Sequence, residues 1–172
     1  MSPSPRQLSV KLEQFRAAMS RLAAGVSIVT SSDASGEPHG MTATAVCSVS
    51  LDPPLVLASL SVRSTTRAVA RDSGRFALNF LGRGDEAVAR RFARSGGDKF
   101  EELDWFEGAT GCPILSGALA SCECTTEQII EAGDHTVFIG RVDAVSIDVD
   151  AANDPLIYFA GAYGALSGRR AR

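Results

Sequence analysis

The sequence predicts a mainly β protein, an antiparallel barrel or sandwich with helices on the outside. Apolar segments of strand length outnumber helical patterns and follow one another through short turns. Helices alternate with strands too rarely for a doubly wound parallel sheet. The 172 residues suit a single domain, with an ordered core expected at about 9–166 between loose tails at 1–8 and 167–172.

The first half of the chain is expected to begin with a helix and to continue mainly as strands. Ser9 can cap this helix, apolar residues follow the helical period to Leu22, and Gly25 ends it. A turn at 32–36 separates the first two strands. The expected strands cover residues 26–30, 40–48, 55–60 and 75–81, and short helices are expected at 64–72 and 85–94.

The second half of the chain is expected to be dominated by a hairpin. Two long strands, at 118–130 and 135–149, meet at a turn around Gly133. The apolar pattern changes phase near Gly140, which predicts a β-bulge. A last strand at 156–159 brings the expectation to six or seven strands and three helices.

Composition excludes several classes of function. The net charge of −3 argues against nucleic acid as the main partner. No apolar stretch reaches the roughly 18 to 20 residues that a membrane helix needs. The polar start lacks the apolar core of a signal peptide, so we expect a cytoplasmic protein. The sequence also lacks G-x-G-x-x-G and G-x-x-x-x-G-K-[ST], so the two common nucleotide-phosphate-binding loops are not expected. It lacks G-x-S-x-G as well, so the nucleophile elbow of the α/β-hydrolases is not expected.

The four cysteines do not have metal-ligand spacing. Cys47 and Cys112 stand alone, whereas Cys122 and Cys124 are separated by one residue. Alternate residues of a strand face the same side, so we expect Cys122 and Cys124 to be buried as small apolar residues. No metal site is expected.

Charge is distributed unevenly along the chain. Residues 63–94 hold eight arginines and three acids, whereas residues 98–154 hold thirteen acids and two bases. A basic segment of this kind can attract a small phosphorylated ligand to one face. Solvated helix surfaces explain the same pattern, and charge alone leaves both interpretations open.

The segment from residue 40 to 55 mixes small residues with hydroxyls. Thr42, Thr44, Ser48 and Ser50 are separated by even numbers of positions, so an ideal strand would place all four on one face. Small side chains expose backbone donors and acceptors, and hydroxyls add more, which suits a flat ligand. An edge strand with a polar solvent face is the alternative.

Seven fragments, in order from about Phe15 to Leu166, resemble the short-chain flavin reductases, the reductase components of two-component flavin monooxygenases. Each fragment is weak alone, but their order over nearly the whole chain is specific. The fragments are GVSIVT at 25–30, GMTATA at 40–45 with SVSLDPPL at 48–55, FALNFL at 76–81, DKF at 98–100 with Trp105, GALA at 117–120 with cysteines following, GDH at 133–135 and PLIYF at 155–159.

The resemblance implies a split β-barrel of the FMN-binding type that forms a homodimer, with flavin sites near the subunit interface. Members of this family use NADH or NADPH to reduce FMN or FAD by direct hydride transfer from the nicotinamide to the flavin. They then release the reduced flavin to a separate oxygenase. The protein's task is to hold two flat rings together and exclude water, so few acid–base residues are needed.

The resemblance also implies site residues in this chain. His135 is the expected catalytic residue, beside the nicotinamide or the flavin edge, where it would position the nicotinamide or assist protonation. Many relatives have a serine pair where this chain has Thr44 and Ala45, which removes one hydroxyl and leaves the choice between FMN and FAD open. The expected flavin-contacting residues are Thr42, Ala43, Thr44, Ala45, Val46 and Cys47, the phosphate-contacting residues are Ser59, Ser61, Ser64 and Thr65, and residues carried over by position alone are Asn79, Arg91, Phe92, Lys99, Phe100 and Tyr163.

Two other functions remain open from the sequence. A similar barrel can hold flavin as an electron carrier or sensor without reductase turnover, although such a protein would not need the Gly133-Asp134-His135 motif. A related oxidase of the pyridoxamine-phosphate type is the second alternative. The lack of a clear basic cluster for pyridoxal phosphate argues against that one.

Overall fold

The computed structural model describes residues 10–148 and 154–166, and these residues form three helices and twelve strands. The helices are α1 (Leu12–Met19), α2 (Thr65–Ser73) and α3 (Glu86–Phe92). The strands are β1 (Ala24–Gly25), β2 (Ser27–Ser32), β3 (Pro38–Ala43), β4 (Val46–Leu51), β5 (Pro54–Ser61), β6 (Arg75–Phe80), β7 (Trp105–Glu107), β8 (Pro113–Leu115), β9 (Ala120–Ala132), β10 (His135–Ile147), β11 (Leu156–Phe159) and β12 (Ala162–Ala165).

Seven strands form one antiparallel sheet in the order β3-β2-β6-β9-β10-β5-β4. Its edge strands β3 and β4 are separated in sequence only by Thr44 and Ala45. A flat sheet would hold these edges about 29 Å apart, six strand spacings, whereas three residue steps span at most about 11 Å. The sheet must therefore curl until its edges nearly meet. The Ser59 amide donates to the Ala45 carbonyl (2.9 Å), which holds the segment between the two edge strands against β5. The curled sheet is the split form of a barrel.

Two apolar cores lie against the curled sheet. One is built on Phe92, Phe100 and Leu156, and the other on Phe76 and Phe138, and all five side chains are buried. The smaller sheet β1-β11-β12 packs with the first core, because Leu156 of β11 bonds through its backbone to the residues next to β2 and β6. The Leu156 carbonyl accepts from the amide of Val26, before β2, and the Leu156 amide donates to the carbonyl of Leu81, after β6. The predicted mainly β, antiparallel class with outer helices is confirmed.

The first helix differs from the expectation at both ends. It ends at Met19 rather than at Gly25, because Ala24 and Gly25 pair with β11 as a short strand. Lys11 occupies the cap position, and the predicted cap, Ser9, lies outside the described residues. The apolar pattern predicted a longer helix, because the two-residue strand β1 is too short to show a periodic pattern of its own.

The predicted strand at 40–48 is wrong as a single element. The chain leaves β3 after Ala43 and begins β4 at Val46, and a register shift follows between Ser48 and Ser50. The four hydroxyls at 42, 44, 48 and 50 therefore do not line one face of one strand. The break is the joint that curls the sheet, a long-range requirement that local alternation does not reveal.

The count of six or seven strands is also wrong, because β1, β7, β8 and β12 were missed and one predicted strand is two. The missed strands are two to four residues long, below the length at which alternation becomes recognisable. The long hairpin β9-β10 is confirmed, and so is its bulge, with register shifts after Ile139 and after Val142. Val149, predicted as the end of β10, lies outside the described residues.

The predicted burial of the cysteine pair is complete for Cys124 and partial for Cys122. Cys124 is fully buried and Cys122 packs against the same core, and burial raises the pKa of both thiols. All four cysteines are free thiols, and the described part of the chain contains no group of three metal-ligating side chains. None of the described helices is long and apolar enough to cross a membrane.

The stability of the turn between β2 and β3 should depend on pH through the carboxylate of Asp33. Asp33 accepts hydrogen bonds from the Ser35 hydroxyl (2.6 Å) and from the amides of Ser35 and Glu37, and these bonds, with His39 nearby, lower its pKa from 3.8 to about 2. Because the folded pKa is depressed, the stabilisation is present above 3.8 and is lost as the pH falls through about 2. The amide resonances of Ser35 and Glu37 should titrate with a midpoint near 2. A midpoint near 3.8 would show that the turn does not hold the carboxylate.

Candidate functional site

A cleft of about 380 Å³ opens beside the joint of the curled sheet, and we call it the central cleft. It brings together the end of β3, the end of β5, the start of α2, the end of α3 and the loop that follows α3. No two consecutive elements could form it alone. Its lining residues are Met41, Thr42, Ser61, Arg63, Ser64, Thr65, Phe92, Ala93, Arg94, Ser95, Gly96 and Lys99.

One wall of the central cleft is the amino end of α2. Ser64 has an extended backbone and occupies the cap position, but its side chain makes no capping hydrogen bond. The hydroxyl and the free amides of the first helical turn can therefore donate to a ligand. Together with the helix dipole, these donors favour an anion at this wall.

Three cations line the central cleft: Arg63, Arg94 and Lys99. The Lys99 ammonium donates to the carbonyls of Gly40 (3.0 Å) and Phe92 (3.2 Å). Burial lowers its pKa, and no carboxylate of the described residues forms an ion pair with it. A half-buried cation without a counter-ion stabilises a bound anion more than an exposed one does.

Aromatic rings close the cleft from below. Phe92 and Phe100 pack edge to face with ring centroids 5.1 Å apart, and Trp105 packs on Phe100 at 5.6 Å. Gly40 permits this arrangement, because a Cβ atom there would lie 2.4 Å from Cε1 of Phe92. The smallest residue in β3 thus lets a buried ring support the floor of the cleft.

The central cleft continues on both sides. A larger cleft of about 680 Å³ shares Thr65, Gly96 and Lys99 with it and extends to Trp105. A cleft of about 430 Å³ on the other side shares Thr42, Ala93 and Arg94 and extends to Thr44, Arg90, Tyr158 and Tyr163. Because neighbouring clefts share lining residues, the three form one groove.

Many of the predicted site residues meet in this groove. In the central cleft the structure places Thr42, Ser61, Ser64, Thr65, Phe92 and Lys99, and in the flanking clefts it places Thr44, Phe100 and Tyr163. The Thr42 hydroxyl donates to the Ala89 carbonyl of α3 (2.6 Å), so it also ties β3 to that helix.

The remaining flavin-contacting candidates belong to the joint of the sheet. Ala43 is buried and Val46 is half-buried against the second core, whereas Ala45 and Cys47 are exposed. Ser59 contributes its backbone to the joint. These positions shape the rim of the sheet beside the groove.

Asn79 and Arg91 have structural partners instead. The Asn79 side chain is fully buried, donates to the Ile28 carbonyl and the Thr30 hydroxyl, and accepts from the Leu115 amide and the Ser121 hydroxyl. Its hydrogen-bonding capacity is used inside the protein. Arg91 donates to the carbonyl of Glu101 (2.7 Å) and so fastens the loop after α3. The structure brings neither residue into the groove.

His135 begins β10 at the tip of the long hairpin. It lies opposite Ser61 in the register with β5, and Ser61 lines the central cleft, so the histidine stands one strand away from it. Its side chain is 45% exposed, and its Nδ1 lies 2.8 Å from the carboxylate of Asp134. This hydrogen bond and the charge of the imidazole lower the pKa of Asp134.

Sequence reasoning did not single out several residues that line or shape the groove, among them two arginines, a glycine and a tyrosine. Arg63 and Arg94 were noted only as part of a basic segment, and Gly40 only as part of a motif. Tyr158, which packs against Tyr163 with centroids 5.1 Å apart, had no signal beyond its place in an apolar strand. The uneven charge of residues 63–94 was the usable signal, because two of its arginines converge on the central cleft.

A curled antiparallel sheet whose edges nearly meet defines a split-barrel protein, and the cationic, hydroxyl-lined cleft at its joint is the candidate binding site. The family model described as "Flavin reductase like domain" matches residues 19–167. The chain belongs to this family, as its resemblance to the short-chain flavin reductases predicts.

Individual relatives agree with this assignment. The chain is 47% identical over 130 residues to a probable flavin reductase of Rhizobium meliloti, a match covering 76% of this chain and 42% of that longer protein. It resembles the NADH:FAD oxidoreductase SgcE6 of Streptomyces globisporus, solved with NAD and FAD fragments, at 33% identity and a TM-score of 0.85, over 91% of this chain and 93% of that one. It also resembles the styrene monooxygenase flavin reductase of Pseudomonas putida at 32% identity and a TM-score of 0.82, over 91% and 99% of the two chains.

Proposed function

We propose that this chain is a flavin reductase that uses NADH to reduce FMN or FAD for a separate oxygenase. The observation that carries the proposal is the central cleft, in which hydroxyls, a helix amino end and three cations converge beside an aromatic floor. This donor set fits the phosphate end of a flavin nucleotide. The relatives named above, one a flavin reductase solved with NAD and FAD fragments and one the reductase of a monooxygenase, support the same activity.

Residues at different positions along the groove would contact different parts of the two ligands. Ser64 and Thr65 at the start of α2, with Arg63, would hold the flavin phosphate. Lys99 stands between the central cleft and the larger flanking cleft, where it can stabilise negative charge on the ligand. His135 would position the nicotinamide from the neighbouring strand.

The chemistry requires little from the protein beyond placement. A bound flavin supplies the hydride acceptor and NADH the hydride donor. The chain's residues would hold the two ring systems in contact and keep water out, and this task needs few acid–base residues. Partner and location follow from the activity: a separate oxygenase would receive the reduced flavin in the cytoplasm, where NADH is available.

The proposal predicts that NADH oxidation by the purified protein depends on added flavin. The flavin would behave as a substrate or a loosely held cofactor, because the groove is open and lined by non-covalent contacts. An assay crossing NADH and NADPH with FMN, FAD and riboflavin measures this directly. Steady oxidation with FMN or FAD is expected, whereas an electron carrier or sensor would show at most one turnover. No oxidation with any flavin would refute the proposed function.

We also propose that the protein is a homodimer with two-fold symmetry. Large apolar side chains remain exposed on β10 and β11, including Val145 (57%), Ile147 (67%) and Phe159 (44%), and a second copy would cover such side chains. Light scattering should give about twice the 18.0 kDa of one chain. A monomer at micromolar concentration would contradict the proposal.

A further inference from the structure

Glu131 ties the tip of the long hairpin to helix α2. Its carboxylate accepts from Nη2 of Arg67 (2.9 and 3.2 Å) and from Nη1 of Arg71 (2.5 Å), two residues one helical turn apart. It also accepts from the Thr136 hydroxyl (2.9 Å) on the facing strand. Four hydrogen bonds from three side chains therefore converge on one carboxylate.

Thr136 completes the connection from inside the protein. Its side chain is fully buried, and its hydroxyl accepts from Nε of Arg67 (2.8 Å) while it donates to Glu131. Thr136 directly follows His135 in β10, so any movement of Thr136 also moves the histidine. We call Arg67, Arg71, Glu131 and Thr136 the hairpin brace.

The two elements that the hairpin brace joins are not held equally well by other contacts. Helix α2 is anchored by the buried residues Thr66 and Ala70. The residues of the hairpin tip at 131–134 are exposed, and apart from the brace the tip is held by backbone contacts: His135 and Thr136 pair with β5, and the Val62 amide donates to the Asp134 carbonyl (3.1 Å). Loss of the brace should therefore let the tip of the hairpin shift on its backbone contacts and leave the helix, with its end of the central cleft, in place.

We propose that Glu131 is a positioning residue that holds His135 beside the central cleft, where the histidine would contact the nicotinamide. The inference rests on the proposed function, because it assigns Glu131 a part in the use of NADH. Glu131 acts through Thr136 and the hairpin backbone and itself touches no substrate. The Thr136 hydrogen bond and the two arginines lower the pKa of Glu131, so its carboxylate stays charged at neutral pH.

The test compares Glu131→Gln with a matched control on the same strand. Glu127→Gln removes a carboxylate of β9 that pairs with Arg141 (3.6 Å) and lies outside the hairpin brace. Glu131→Gln should raise KM for NADH about 5- to 10-fold, the effect of one lost positioning contact, with KM for flavin within about twofold. Glu127→Gln should change neither value. Because exposed ion pairs add little to global stability, the melting temperature should hardly move in either variant.

A double-mutant cycle with His135→Ala separates positioning from a merely structural role. If Glu131 acts through His135, Glu131→Gln should have no further effect on KM for NADH once the histidine is absent. Arg71→Gln, at an exposed position, should also raise KM for NADH while leaving KM for flavin unchanged, by a smaller factor than Glu131→Gln. This variant replaces Glu131→Gln in the test if Glu131→Gln does not fold.

Each other outcome is decisive. Additive effects of the two substitutions, an unchanged KM for NADH in Glu131→Gln, or equal changes in both KM values would overturn the inference. Normal NADH kinetics in the His135→Ala variant would also overturn the inference, because the hairpin brace would then position a histidine that does not contribute to the use of NADH. If the unmodified protein oxidises NADH with no flavin, it is the proposed function that fails.

Discussion

Replacing Gly140 with alanine should destabilise the protein by about 1 to 3 kcal/mol, the usual cost of overpacking a core. A Cβ atom at this position would lie 2.6 Å from Cζ of Phe76 and 2.9 Å from Cβ of Cys124. Both neighbours are fully buried and cannot move aside freely. Thermal unfolding should show a melting temperature lower by roughly 2 to 4 °C per kcal/mol for a chain of this size.

Gly117→Ala is the matched control for this prediction. Nothing lies within 4 Å of a Cβ atom at Gly117, so its substitution should change stability by less than about 0.5 kcal/mol. Combining Gly140→Ala with Phe76→Leu should relieve part of the overpacking cost, because the shorter side chain withdraws from the new methyl group while Cys124 remains. Equal melting temperatures for Gly140→Ala and the unmodified protein would show that the strand adjusts at its bulge without cost.

Replacing His135 with alanine should reduce kcat/KM for NADH by about 5- to 150-fold, equivalent to about 1 to 3 kcal/mol for one positioning contact. The proposed flavin contacts lie on β3, at the end of β5 and at the start of α2, and none of them includes this side chain. Flavin affinity, measured by fluorescence quenching, should therefore change by less than about threefold.

Arg141→Ala supplies the control for His135. Arg141 lies on the same strand, beyond the first register shift of β10, and its side chain pairs with Asp143 rather than with the groove. Its loss should leave NADH kinetics intact. If His135→Ala instead abolishes flavin binding and leaves NADH kinetics unchanged at saturating flavin, the histidine lies at the flavin. No change in either measurement would leave it a solvated residue of the hairpin.

Features encoded by neighbouring residues could be predicted from the sequence. The hairpin β9-β10 follows from two long apolar patterns around a glycine turn, and its bulge from the change of phase near Gly140. Helix α2, expected at 64–72, covers Thr65–Ser73 with Ser64 at its cap position, and it ends before Gly74, which has a φ of 67°. Each of these signals acts within a few residues, where side-chain preference and backbone conformation are directly coupled.

The candidate site could be predicted only in part. The resemblance named Thr42, Ser64, Thr65 and Lys99, which converge in the central cleft, because family motifs record contacts that sequence spacing does not. The resemblance also named Asn79, whose polar side chain in a strand is as well suited to bind a ligand as those of the residues that do line the cleft. Only the structure shows that its amide satisfies four groups of the buried core.

By itself the sequence determined the antiparallel β class, the long hairpin and the basic segment that supplies cations to the groove. Tertiary structure alone decided that β3 and β4 separate at Thr44 and Ala45, that Arg63 and Arg94 meet across the central cleft, and that Glu131 reaches helix α2. These features join segments up to about sixty residues apart. They depend on how the sheet curls, and curling is set by the packing of the whole core rather than by the preference of any local segment.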